Sequence, residues 1–247
     1  MNKTQAILAP VASYELVAQE YYDAERHPTC ANFREASRLL FRRWLSLVPN
    51  RKLICELGAG KSLLAEILTE ALRSLDTVTL VDESPSMLAY SRALKEVGVR
   101  LDLASVFALP YDSESFDVVA SCLGDPYNSI TFWTEVRRVL KPDGICLFTT
   151  PSREWAEAFR EITDTNSMHS SAFDLSDGSQ VSLPSHIYPQ HDQKRLIESA
   201  NLAVSEISQV LIQDLSGQKL SPKLVLRRGV DASVITGYVA RRLHKNA

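Results

Sequence analysis

The chain has no CxxC pair, no apolar run near the roughly 20 residues of a membrane span and no excess of positive charge. Its four cysteines, Cys30, Cys55, Cys122 and Cys146, stand far apart, and three of them lie inside apolar strand-like runs. They read as small buried hydrophobes of a reducing compartment. A net charge of −3 and a pI of about 6.0 provide no global field that would draw in nucleic acid. The Arg pairs at 42/43, 137/138, 227/228 and 241/242 read as solvated faces. The opening MNKTQAILAPVASYELV has one short apolar patch broken by Pro10 and Glu15, which is not a secretory pattern. There is no internal repeat or low-complexity tract. The expectation is a cytoplasmic protein with neither membrane nor nucleic-acid partner. Its 247 residues, 45% of them hydrophobic, are enough for one large α/β domain with insertions.

What is present is a regular alternation. Phe33, Ala36, Leu40, Trp44, Leu47 and Val48 recur at three- and four-residue spacing and predict an amphipathic helix over 31–48. After it come strands at 53–57, 77–82, 99–104, 116–123 and 145–150, with helices at 62–75, 84–98 and 131–140 between them. The Ser-Pro start at Ser84 and Gly98 bound the helix that follows the second strand. Strands alternating with helices at this spacing predict a parallel sheet covered on both faces. A helix at 153–162 precedes a Ser-, Asp- and His-rich stretch, 163–190, too long for an ordinary connection and read as a cap or binding loop that orders with substrate. A helix at 191–201 and strands at 204–212 and 233–243, an antiparallel-looking pair, complete seven strands. The single domain divides into N-terminal helices (1–50), a core (51–150), an insertion (151–190) and a C-terminal half of the sheet (191–247).

The segment CELGAGKS, residues 55–62, is the place where chemistry enters. A phosphate loop needs a first glycine where Cys55 stands, and Cys55 lies within the strand, which leaves no room for the wide cradle. A nicotinamide turn asks for a third glycine at position 63, which is Leu63. ELGAG followed 22 residues after Gly60 by Asp82, at the end of the second strand, fits a ligand with a ribose and no pyrophosphate. The glycines let backbone approach the ligand, and the carboxylate accepts from the ribose hydroxyls.

ICELGAGKS, LVDESPSML, FALPYDSESFDVV and EVRRVLKPDGICLFTTPS, in this order over residues 50–150, resemble the class I S-adenosylmethionine-dependent methyltransferases. The resemblance implies a Rossmann-like seven-stranded, mostly parallel α/β sheet with helices on both faces and an antiparallel last strand. The implied cofactor is S-adenosylmethionine. By the same resemblance Glu56, Gly58 and Gly60 shape its methionine end, Asp82 holds the ribose and Met87 packs near the adenine, while Cys122 and Leu123 lie under the sulfonium. Two departures bear on affinity. Ser105 and Val106 stand where the family often has Asp-Ala, and Glu83 stands where an apolar residue usually meets the adenine. The lost charged hydrogen bond is worth about 1 to 3 kcal/mol.

The sulfonium is already an activated donor, so orientation and exclusion of water supply much of the acceleration, and a general base is needed only if the acceptor must lose a proton. No catalytic residue is named on this basis. Segments expected to border the cofactor offer Tyr21, Tyr22, His27, Asp125, Tyr127, Asn128 and His186 as substrate contacts, with His169 and His191 behind them. His186 and His191 lack a third ligand, so no metal is expected. The reading is methyl transfer to a small molecule. The alternatives are an RNA or protein methyltransferase, which needs a basic or docking surface, and a catalytically weak module that only binds the nucleoside.

Overall fold

The computed structural model describes residues 10–160, 169–225 and 231–243. Two helices lead, α1 (Pro10–Val17) and α2 (Pro28–Arg43), followed by β1 (Ile54–Leu57), α3 (Leu63–Glu70), β2 (Val78–Asp82), α4 (Pro85–Ala89) and β3 (Arg100–Leu103). Then come β4 (Phe116–Ser121), α5 (Ile130–Val139), β5 (Leu140–Pro151), α6 (Arg153–Arg160), β6 (Ser170–Asp174) and β7 (Gln180–Pro184). The described chain closes with α7 (Gln190–Ser199), β8 (Leu202–Leu211), α8 (Pro222–Val225) and β9 (Ser233–Arg242).

The main sheet has seven strands in the order β3-β2-β1-β4-β5-β9-β8. β1 to β5 pair in parallel, and β9 runs antiparallel to both β5 and β8. The period-two pattern divides the strands between two cores. Ile54, Val118 and Leu147 join Leu40, Leu64 and Ile67 of α2 and α3 on one face. Cys55, Val119 and Cys146 join Phe132, Trp133 and Ile197 of α5 and α7 on the other. This is the expected doubly covered sheet, with its direction of winding reversing between β1 and β4, where ligands of open α/β sheets bind.

Several boundaries differ from expectation. The helix expected over 62–75 ends at Glu70, because Leu72 adopts a left-handed φ of 54° and the amides of Leu72 and Arg73 turn back to the carbonyls of Thr69 and Leu68. The helix expected over 84–98 divides into α4 and a 3-10 stretch, Arg92–Val97, which ends on Gly98. The break falls at Ser91, whose buried hydroxyl is turned toward the glycine turn: it donates to the Gly60 carbonyl (2.6 Å) and accepts from the Ser62 amide (3.1 Å). Residues 141–144 bulge out, since Phe116 pairs with Leu140 but Val118 pairs with Ile145.

The largest correction concerns 163–190. Its first residues, with the end of the helix expected over 153–162, lie outside the described residues. Residues 170–184 are not an irregular loop but an antiparallel hairpin, β6 with β7. Phe173, Val181 and Leu183 alternate inward and pack with Val17 of α1 in a small core of their own. No helix among the described residues is long and apolar enough to cross a membrane.

Candidate functional site

A cavity of about 320 Å³ opens at the carboxyl ends of β1, β2 and β4. The turn after β1 forms its floor. Gly58 and Gly60 both take left-handed φ values, 62° and 43°, which is what a glycine is needed for here. A Cβ on Gly58 would lie 2.3 Å from the Tyr127 hydroxyl, and one on Gly60 would lie 2.3 Å from the Tyr22 hydroxyl. The turn then enters α3 directly, with Ser62 capping it by accepting the Ala65 amide (3.0 Å). No wide phosphate cradle is formed. Lys61 is half exposed, and its Nζ stands 3.9 Å from Glu66.

Carboxylates mark two walls. Asp82, at the end of β2, accepts the Gly60 amide at Oδ2 and the Ser84 amide at Oδ1, both at 2.9 Å. Burial pushes its pKa up to about 6. Glu56, in β1, accepts the Ser62 hydroxyl and, at 3.5 Å, the Leu64 amide, and burial pushes it up to about 7. Met87 and Val106 are buried apolar lining residues, and Glu83 lines the same cavity. Cys122 and Leu123 line it beyond β4. Burial pushes the Cys122 thiol up to about 12, so it stays protonated. Leu123 has a left-handed φ of 57°, strained for a branched side chain, and its amide donates to Thr149 Oγ1 (3.0 Å).

The N-terminal helices roof the cavity. Glu15 of α1 accepts the Ser84 hydroxyl (2.5 Å), the Ser86 hydroxyl and the Ser86 amide (3.3 Å), and Tyr90 Oη donates to the Ala18 carbonyl (2.7 Å). The Tyr22 hydroxyl accepts the Lys61 amide (2.8 Å). Tyr127 bridges the β1 and β4 ends, donating to the Leu57 carbonyl (2.8 Å) beside the Ser121 hydroxyl (2.5 Å). Arg34 of α2 also lines the cavity, with its guanidinium 5.7 Å from the Tyr22 ring centroid and Nη2 2.8 Å from Glu66 Oε1.

A second cavity, of about 350 Å³, adjoins the first and shares Tyr14, Tyr21, Cys30 and Leu123 with it. The 3-10 turn Asp125–Tyr127 lies across the division: Asp125 lines the second cavity, Pro126 and Tyr127 the first. His27 lines the second cavity and stacks on Phe173, ring centroids 4.0 Å apart.

Several of the expected contacts stand elsewhere, and Gly60, expected at the cofactor, does not line the cavity because the Tyr22 hydroxyl lies over it. Asn128 is fully buried, and its amide is consumed by Gln193, Trp133 and the His186 carbonyl, so it ties the turn to α5 and α7 and offers nothing to a ligand. His186 lines neither cavity; its Nδ1 lies 3.4 Å from that of His169. Ser105 does not line the first cavity, because its hydroxyl turns back to the Phe107 amide (3.3 Å). His191 is exposed beside Asp192 at the start of α7. Among the described residues no group of three or more His, Cys, Asp or Glu is placed to hold a metal ion.

The sequence reading passed over Tyr14, Arg34 and Cys30. Tyr14 lies in α1 and Tyr21 in the turn beyond its end at Val17, so no helical spacing marks the two as one face. Nothing local distinguishes Arg34 from its solvated neighbours in α2, since its importance comes from what α2 lies against.

No curated protein matches the chain. Solved structures share its fold at low identity. An S-adenosylmethionine-dependent methyltransferase from Mesorhizobium loti is 17% identical with a TM-score of 0.60, over 85% of this chain and 100% of that one. The 1,6-didemethyltoxoflavin-N1-methyltransferase of Burkholderia thailandensis, solved with 1,6-didemethyltoxoflavin and S-adenosylhomocysteine, is 16% identical with a TM-score of 0.57, over 98% and 94%. A Haloferax volcanii methyltransferase in complex with a methyltransferase activator is 17% identical with a TM-score of 0.64, over 96% and 100%. A family model described as a methyltransferase domain matches residues 50–203, and with the glycine turn, the acid ending β2 and the antiparallel β9 all in place, the chain belongs to that family, the S-adenosylmethionine-dependent methyltransferases.

Proposed function

We propose that the protein methylates a small molecule held in the second cavity, acting in the cytoplasm as one domain in which α6 and the β6–β7 hairpin of the 151–190 insertion border that cavity. The observation that carries this reading is the pairing of two chambers through Tyr14, Tyr21, Cys30 and Leu123. At about 350 Å³ the second falls in the range of small-ligand sites. The Burkholderia relative, solved with a small acceptor, shares the fold and supports the same reading.

The first cavity fits S-adenosylmethionine by its donor set. It has a part-buried carboxylate (Asp82) at the strand end, side-chain-free backbone at Gly58, apolar walls (Met87, Val106) and a cation (Arg34). In this reading Asp82 accepts from the ribose hydroxyls, Met87 and Val106 face the adenine with Glu83 at its edge, and Glu56 with Arg34 serves the methionine end. The bound cofactor supplies a methyl group already activated on sulfur. The chain's own part is to hold two molecules in line and keep water out. The phenols of Tyr14, Tyr21 and Tyr127 are pushed up by burial, so they remain hydrogen-bond donors and do not serve as bases.

Incubating the protein with methyl-tritiated S-adenosylmethionine and cell extract separated into small-molecule, RNA and protein fractions tests the reading. Label is expected in the small-molecule fraction. Label in RNA or protein overturns the acceptor class, and tight S-adenosylhomocysteine binding with no label in any fraction favours a binding module.

A further inference from the structure

A third cavity, of about 310 Å³, lies over the antiparallel half of the sheet, bordered by the start of α6 and by the residues just ahead of α7. Its floor is a polar patch on the face that α5 and α7 cover. Thr236 of β9 pairs with Thr150 of β5 on one side and with Gln209 of β8 on the other, so these three side chains share one rung and one face. Tyr238, two residues further along β9, shares that face and packs there with Phe148. All four line the cavity. Among the described residues it shares Pro151 with the second cavity and nothing with the first.

The polar groups of this floor are not spent on the fold. Tyr238 is 1% exposed and Thr236 5%, yet among the described residues neither hydroxyl meets a hydrogen-bond partner. A buried polar group left unpaired costs stability, so two of them facing one cavity point to a partner that enters from outside. Burial pushes the Tyr238 phenol well up, so it stays protonated and can donate. The exposed Gln209 carboxamide at the mouth is also without a partner among the described residues. Thr150 Oγ1 donates to the Pro151 carbonyl (3.3 Å), which leaves its lone pairs open.

The charged groups beside this floor are engaged. Arg153 Nε lies 2.8 Å from Glu157, Arg153 Nη1 donates to the Ile187 carbonyl (3.2 Å), and Glu154 accepts the Ser233 amide (3.3 Å). Two carboxylates against one guanidinium give no net attraction for an anion. Pro151, Tyr188 and Pro189 add carbon-rich ring surfaces to the lining. Hydroxyls and a carboxamide both donate and accept, as the hydroxyls of a sugar do, and a sugar ring offers C–H faces for such surfaces to cover.

We propose that this third cavity binds a neutral sugar, its hydroxyls met by Tyr238, Thr236, Thr150 and Gln209 and its ring covered by Tyr188 and the two prolines. The volume stands at the lower end of small-ligand sites, the size of a single ring. The site is separate from the two cavities assigned to methyl transfer, so it stands whichever acceptor that reaction uses.

Calorimetry on the full chain, with S-adenosylhomocysteine saturating the first cavity, tests this with the methyl glycosides of glucose, galactose and mannose against glucuronate and cyclohexylmethanol. At least one glycoside is expected to bind roughly tenfold more tightly than either control. Tyr238→Phe and Thr236→Val each remove one oxygen at nearly constant shape. Each should lower that affinity about fivefold or more, while the thermal midpoint stays level or rises because no partner in the protein loses a bond. Binding of none of the glycosides, glucuronate binding as tightly, or unchanged glycoside affinity in either variant overturns the proposal. A midpoint lowered in both variants would mean that the hydroxyls serve the fold, and overturns it too. If Tyr238→Phe fails to fold, Thr236→Val decides alone.

Discussion

The Asp82 carboxylate accepts the Gly60 backbone amide at 2.9 Å, so the acid that ends β2 and the glycine turn that follows β1 form one rigid unit at the edge of the cofactor cavity. Its second oxygen takes the Ser84 amide. The carboxylate is therefore already positioned before any ribose meets it.

Replacing Asp82 with Asn is expected to weaken S-adenosylmethionine binding roughly ten- to a hundredfold, the usual worth of hydrogen bonds to a charged group. The acid is raised to about 6, so it is ionised above that pH and protonated below it. Affinity should hold above pH 6 and fall as pH drops through 6, and the Asn variant should lose that dependence. Stability has the opposite sign. Between about pH 4 and 6 the folded protein keeps a proton that the unfolded chain has released, so stability contributed by this group declines as pH rises through that window. Calorimetric titrations and thermal melts across pH 4 to 8 check both; equal affinity in the two proteins would falsify the ribose role.

Gly60→Ala should destabilise the fold by about 1 to 2 kcal/mol for its left-handed backbone alone, and further for the approach of the new Cβ to the Tyr22 hydroxyl. Adding Tyr22→Phe removes that hydroxyl and should recover part of the loss, leaving the backbone component. A double-mutant cycle by urea unfolding separates the two. Strict additivity would show that the contact carries no energy.

Glu15 holds α1 over the cavity through Ser84 and Ser86, and these hydrogen bonds keep its carboxyl below the usual range. The latch should thus be intact at neutral pH and weaken only as pH falls into the acid range where Glu15 takes up a proton. Glu15→Ala is expected to speed amide exchange in α1 and the first cavity's roof, and to raise the dissociation rate of S-adenosylhomocysteine several-fold. Unchanged exchange at residues 13–18 would remove the latch.

Lys61 lines the first cavity, but its side chain is half exposed and its ammonium stands 3.9 Å from Glu66, so Lys61→Ala should leave S-adenosylmethionine affinity within about twofold. A phosphate-loop lysine would behave otherwise. Any ATP hydrolysis lost in this variant would restore the phosphate reading.

Leu72 closes α3 in a left-handed conformation with its side chain 95% exposed. Glycine at that position relieves the backbone without surrendering a contact, so Leu72→Gly should raise stability by about 1 kcal/mol. A thermal midpoint that falls instead would show that Leu72 has a packing role.

Local rules carried the sheet and the cofactor turn. Apolar runs of strand length, helices opened by Ser84-Pro85 and closed by Gly98, and a glycine turn followed by Asp82 are all properties of short segments, and backbone sterics and periodicity determine them before the chain meets itself. The hairpin over 170–184 was not legible in the same way. Only Phe173, Val181 and Leu183 bury, and their burial depends on Val17, more than 150 residues away. The substrate contacts divide for a similar reason. Tyr21, Tyr22, His27, Asp125 and Tyr127 reach the two cavities, but Asn128, in the same DPYN run, turns inward because Gln193 and Trp133 meet it from α7 and α5. Arg34 shows the converse, an ordinary helix-surface arginine by sequence that packing places in the cavity wall. Backbone conformation answers to neighbours in the chain. The direction of a side chain at the switch point between β1 and β4 answers to whichever helices and loops fold over it, and that is settled only when long-range burial outweighs local preference.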